Sequence, residues 1–112
     1  MMINDLMEYK KVLEDDIKIL GYNNLRYSIF EGAEKNREEY QIRIEKNNDK
    51  YEVYMTADRA SVQGKYEFGD IFDAFDQFLN IMQYTVLSNR KRVMRGETPE
   101  YHCSLWDDVR DN

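Results

Sequence analysis

Gly69-Asp70-Ile71-Phe72-Asp73-Ala74-Phe75-Asp76-Gln77-Phe78-Leu79-Asn80-Ile81-Met82 is the stretch that decides how this chain folds. Ile71, Phe75, Phe78, Met82 and Val86 recur at helical spacing, and Phe72, Leu79 and Ile81 widen the stripe. An apolar face that broad predicts a helix that covers a sheet. Asp70, Asp73 and Asp76 place negative charge at the end where the helix dipole is positive, and Arg90, Lys91, Arg92 and Arg95 place positive charge at the other. Gly96 offers a left-handed cap and Pro99 forbids a restart. The helix is therefore expected to run toward Arg95, with Ser88-Asn89 as the alternative stopping point.

Working outward toward the N-terminus, the chain supplies the sheet. Val62, Gly64, Tyr66 and Phe68 alternate with Gln63, Lys65 and Glu67 and predict a short strand that leads into the helix. Tyr40, Ile42 and Ile44 and then Tyr51, Val53 and Met55 alternate in the same way, around Lys46-Asn47-Asn48-Asp49-Lys50. With Asn47-Asn48 at the centre of a tight turn, Ile44 faces Tyr51, Ile42 faces Val53 and Tyr40 faces Met55. The same register sets Arg43 across from Glu52 and Glu45 across from Lys50. Leu25 to Ile29 predicts a further strand, and Gly32 to Arg37 a polar loop. Before them, Leu6, Leu13, Ile17 and Leu20 mark a first helix, with Asn4 as its N-cap and Gly21 as its end. Glu14-Asp15-Asp16 on that helix could be a binding patch, and a solvated face is the preferred reading.

The expected fold is α+β: helix, three or four antiparallel strands, long helix, with both helices packed on one face of the sheet. Arg26, Ser28, Gln41, Arg43, Glu52, Tyr54, Lys65 and Glu67 would face solvent on the other. One domain spans 1–112, with a core of about 4–95 and a tail, 96–112, that is either docked or loose.

Composition narrows the function. Apolar residues make up 42% of the chain and charged ones 34%, which is globular. A net charge of −6 argues against a general nucleic-acid binder, because phosphate neutralisation needs a basic surface. The single cysteine, the lack of a signal-like N-terminus and the lack of a long apolar run predict a cytosolic protein off the membrane.

Little in the chain carries chemistry. His102 and Cys103 are neighbours, so their side chains diverge and a direct nucleophile–base bond is disfavoured. No zinc, calcium or phosphate-loop spacing is present, and nothing selects a pair among the 22 acids. We expect no catalytic, metal or cofactor residues. Two clusters could meet partners. Arg90, Lys91, Arg92 and Arg95 could touch phosphate, although dipole complementarity already accounts for them. Trp106 with Asp107, Asp108 and Asp111, near Tyr101, is either an aromatic anchor ringed by acids or the pin of the tail to the core. Tyr54, placed on the solvent face, adds a further interface residue.

The stretches Tyr51-Glu52-Val53-Tyr54-Met55-Thr56-Ala57-Asp58-Arg59, Tyr66-Glu67-Phe68-Gly69-Asp70 and Asp73-Ala74-Phe75-Asp76-Gln77-Phe78 resemble the small α+β immunity proteins of bacterial polymorphic toxin systems. The shared features are a tyrosine-rich strand closing in an Asp-Arg turn, a short strand, and a helix opened by Phe-x-Asp, over roughly Tyr40 to Asn89. The resemblance implies a cytosolic antitoxin that binds the toxic domain of a secreted effector and occludes or distorts its active site, without cofactor or catalysis. No residue set carries over by position; Arg59 matches the turn and joins the candidate partner-binding residues on that ground. A toxin with a basic face would suit the acidity of the chain, and a homodimer is left open. The alternatives are a small adaptor without a toxin partner and a phosphate binder using Arg90 to Arg95.

Overall fold

A computed structural model of the chain describes residues 5–32 and 34–109, apart from the side chains of Asp5 and Gln63. Asn4 and Asp111 lie outside the described residues. The elements are α1 (Asp5–Leu20), β1 (Tyr27–Ile29), β2 (Ile42–Asn47), β3 (Lys50–Thr56), β4 (Val62–Phe68) and α2 (Ile71–Met94).

Helix α2 begins where the Asp70 carboxylate accepts the Phe72 N–H at 2.7 Å. It runs past Ser88-Asn89 and ends in a Schellman cap, with Glu97 N–H on the Arg92 carbonyl at 2.8 Å and Gly96 N–H on that of Val93 at 3.0 Å. Gly96 sits at φ 81, which its missing Cβ permits. Tyr22 and Gly21 close α1 in the same way, on the carbonyls of Ile17 and Lys18.

The four strands lie in sequence order, β1-β2-β3-β4. The sheet is mixed, which corrects the all-antiparallel expectation: β1 pairs parallel to β2, Tyr27 with Ile42 and Ile29 with Ile44. The physical reason is the length of residues 30–41, about the dozen that a parallel crossover needs and far more than a hairpin.

The β2–β3 hairpin forms with its register displaced. Ile42 faces Met55, Ile44 faces Val53 and Asn47 faces Lys50, so each β2 residue pairs two positions further along β3 than the sequence suggested. The turn is Asn48-Asp49 in place of Asn47-Asn48, with Asn48 at φ 59. Either asparagine tolerates that backbone, and a displacement of two leaves every side chain on its own face.

Ile29, Ile42, Ile44 and Val53 are wholly or nearly wholly buried in one cluster with Ala74, Phe78 and Met82 of α2. Helix α2 contacts β2, β3 and β4. Leu13 and Ile17 bring α1 into the same core, and Tyr9 sets its ring edge-on to Phe72 and Phe75 at 5.8 and 6.3 Å.

The second sheet face departs most from expectation. Ser28, Gln41, Arg43, Glu52 and Tyr54 were expected in water and are all buried, while Lys65 and Glu67 are exposed and Arg26 is half-buried. The crossover 30–41 folds back over this face and roofs it. Gln41, Arg43, Glu52 and Tyr54 are hydrogen-bonded or ion-paired there, whereas the Ser28 hydroxyl has no partner among the described residues.

Candidate partner-binding surface

Arg43 is the post on which the roof rests. Its side chain is completely buried, and each guanidinium nitrogen has an acceptor. Nε donates to Glu45 Oε2 and Tyr54 Oη, both at 3.1 Å. Nη1 donates to Gln41 Oε1, and Nη2 to the carbonyls of Gly32 and Lys35 at 2.7 and 3.0 Å. The planar fork suits this task, since it ties two strands and two turns of a loop at once. Glu45 also accepts the Gly32 N–H at 3.2 Å, which fixes the start of the crossover. Glu45 stands directly opposite Glu52, a like-charge pair that is tolerated because each acid has its own cation: Arg43 for Glu45 and Lys65, at 3.3 Å, for Glu52.

The end of the crossover is held as firmly. Gln41 N–H donates to Thr56 Oγ1 at 2.8 Å, Thr56 Oγ1 donates to the Glu38 carbonyl, and Gln41 Nε2 donates to the Asn36 carbonyl at 2.8 Å. Glu39 Oε2 accepts the Arg59 N–H at 2.7 Å, which joins the crossover to the turn Asp58–Ala60. The Glu39 carbonyl accepts Arg26 Nη1 at 3.0 Å. The Arg26 guanidinium in turn lies 4.2 Å from the centre of the Tyr101 ring, which brings in the tail.

Three segments distant in sequence therefore meet: the crossover, the Asp58–Ala60 turn and the tail. Phe30, Asn36 and Tyr40 in the first and Arg59 and Ala60 in the second all have φ between 54 and 60. Left-handed backbone costs a non-glycine residue roughly 1–2 kcal/mol. The bonds from Arg43, Gln41 and Glu39 hold the two segments that carry these residues. Outward, the platform of crossover and turn presents Glu34, Glu38, Glu39 and Asp58, with Lys35 and Arg59 among them.

The residues expected to bind a partner separate into two groups. Trp106 is fully buried, its indole N–H donating to the Tyr101 carbonyl at 2.7 Å, so it pins the tail and is no surface anchor. Tyr101 is buried too, against Trp106 edge-on at 5.1 Å, and its hydroxyl accepts the Arg26 N–H at 3.1 Å. Burial pushes that phenol up to about 12, so it keeps its proton. Tyr54 is buried beneath the crossover, against the expectation that it faced water; the roof was not visible in its strand alternation. Arg59 and Asp108 are exposed, and Asp107 is half-buried with Oδ1 3.6 Å from His102 Nδ1. Asp111 lies outside the described residues.

Cys103 is buried, and desolvation pushes its thiol up, against a small opposing effect from the Leu105 N–H and with Asp107 adding to the rise. Its Sγ reaches the Asn24 carbonyl at 3.8 Å, while the His102 side chain stands 93% exposed. The two neighbours diverge. Among the described residues, no group of three or more His, Cys, Asp or Glu side chains could hold a metal ion, and no helix is long and apolar enough to cross a membrane.

A second surface escaped the sequence reading altogether. Tyr84, Leu87 and Met94 stand 71%, 51% and 67% exposed on the outer side of α2. Their spacing of three and seven residues was available in the sequence, but the stronger inner stripe of Phe75, Phe78 and Met82 masked it.

No curated protein and no solved structure matches the chain. A family model described as immunity protein 59 matches residues 6–107, which takes in all but the first residue of α1, all four strands, α2 and the tail as far as Asp107. On that match, the chain belongs to the immunity protein 59 family.

Proposed function

We propose that this chain is a cytosolic immunity protein that captures the toxic domain of a cognate bacterial toxin and blocks it by steric cover. The observation that carries this reading is the family match over residues 6–107. Immunity proteins are generally inhibitors that do no chemistry, and the buried thiol and diverging histidine of this chain agree with that role.

The loop platform is the surface we assign to the toxin. Its backbone is held in strained conformations by hydrogen bonds from Arg43, Gln41 and Glu39, so little ordering remains to be done on binding. Glu34, Glu38, Glu39 and Asp58 give it an acidic character that suits a basic toxin face, and Arg59 supplies a fork for a carboxylate or carbonyl.

The test is a pull-down of the tagged full chain from the native cell's lysate, with mass spectrometry of what comes down in stoichiometric amount. A large secreted protein held through its C-terminal domain is the expected catch. Recovery of the bait alone, or of a metabolic complex, overturns the reading in favour of an adaptor without a toxin.

A further inference from the structure

The inner stripe of α2 is occupied by the sheet, yet the helix carries a second stripe that none of the described residues covers. Tyr84 and Leu87 stand at its centre. Shallow depressions flank Tyr84, one walled by Tyr66, Gln77, Asn80 and Ile81, the other by Ser88, Lys91 and Arg92. On the same outer side, Asp73 and Asp76 lie toward the N-terminus and Lys91 and Arg95 toward the C-terminus, all four exposed. None of the four has an ion-pair partner among the described residues.

The order along the stripe is acid, apolar, base, and it is symmetric about its middle. Asp73 and Arg95 each lie eleven residues from Tyr84. At 1.5 Å per residue each is about 16 Å away along the axis. Asp76 and Lys91 lie eight and seven residues from it. A surface with that pattern is complementary to itself when one copy is turned end for end. We infer that α2 pairs with the α2 of a second copy of this chain, antiparallel and centred on Tyr84, so that Asp76 meets Lys91 of the other copy and Asp73 meets Arg95. The two helix dipoles then oppose favourably, and Leu87 of each copy faces the Asn80 region of the other.

Dipole complementarity within one helix does not account for this pattern. That effect fades within the first and last turns, whereas Asp76 stands in the second turn. Nor does it place Tyr84, Leu87 and Met94 in water on the face that bears the charges. A partner with a uniformly acidic or uniformly basic surface would complement one end of the stripe and oppose the other. A second copy complements both.

Sedimentation equilibrium of the full chain over about 1–500 µM reads the result, a range suited to a small isologous interface. The expected behaviour is a monomer–dimer equilibrium. Because two-fold symmetry repeats every contact, Asp76→Lys breaks two ion pairs and raises the dissociation constant at least about tenfold, as does Lys91→Glu. Asp76→Lys with Lys91→Glu re-forms both pairs in reverse and returns the dissociation constant to within about threefold of the original. Circular dichroism confirms that each variant keeps its helices. A chain that stays monomeric at every concentration overturns the inference, and so does a double variant as weak as the singles. If the chain is monomeric and Tyr84→Glu abolishes toxin capture, the stripe belongs to the toxin instead.

Discussion

Arg43 concentrates the physics of the candidate site in a single residue. Burying a guanidinium and a carboxylate is expensive, and such a pair rarely adds stability over apolar residues of the same size. What Arg43 and Glu45 do instead is fix the crossover, by binding the Gly32 and Lys35 carbonyls and the Gly32 N–H. Two variants separate these roles. Arg43→Ala leaves Glu45 buried without its cation and should lose about 3–5 kcal/mol in urea denaturation. Replacing both with methionine should recover most of that stability, because no charge is left stranded. The double variant should nevertheless exchange its amides faster across residues 31–41 and bind the toxin more weakly. Unchanged exchange in that segment would mean that the loop holds itself, without Arg43.

At the scale of elements, local signals decided what was legible. The caps of α1 and α2, at Gly21, Asp70 and Gly96, depend on residues within a turn of one another, and sequence reading placed those ends well. The hairpin's faces were legible because alternation has period two; its register was not, because Asn47-Asn48 and Asn48-Asp49 are both able to turn. The parallel β1–β2 pair and the roofed sheet face depend on where residues 30–41 return to, which no local pattern encodes. Hence Tyr54 and Arg43 were expected in water. Trp106 gave an ambiguous signal, since an aromatic among acids suits a tail pin as well as an anchor, and only long-range contacts separate the two. Asn89 makes that point testable. Wholly buried in α2, it accepts the Glu100 N–H at 2.7 Å and donates to the Glu100 carboxylate at 3.0 Å, so it clamps the tail to the helix. Asn89→Leu strands the Glu100 amide and should cost roughly 1–3 kcal/mol. If the clamp holds the tail, limited proteolysis should cut first between Glu97 and Val109, with the rest of the fold intact. Cleavage spread evenly along the chain would instead make Asn89 a general core residue.

For the molecule as a whole, charge is the property with the longest reach. A net charge of −6 coexists with a basic group at the C-terminal end of α2, so the acids dominate elsewhere and the field is uneven. Such a field acts on encounter more than on the final complex. Charges beyond a Debye length, about 8 Å at physiological salt, are screened; with a toxin face that is basic, as we propose, raising the salt should slow association and leave dissociation nearly unchanged. Stopped-flow binding of the purified toxin domain across a salt series measures both rates. Glu34→Gln and Asp58→Asn together remove two exposed charges from the platform while leaving untouched the Arg43 and Glu39 ties that hold it. Melting temperature should hardly move. Association at low salt should slow by about tenfold, with a flatter salt dependence, because fewer charges steer the encounter. A dissociation rate that rises instead would place those carboxylates inside the bound interface, in direct contact with the toxin. An unchanged rate in both directions would move the toxin to another face of the molecule, and the outer stripe of α2 would be the next to test.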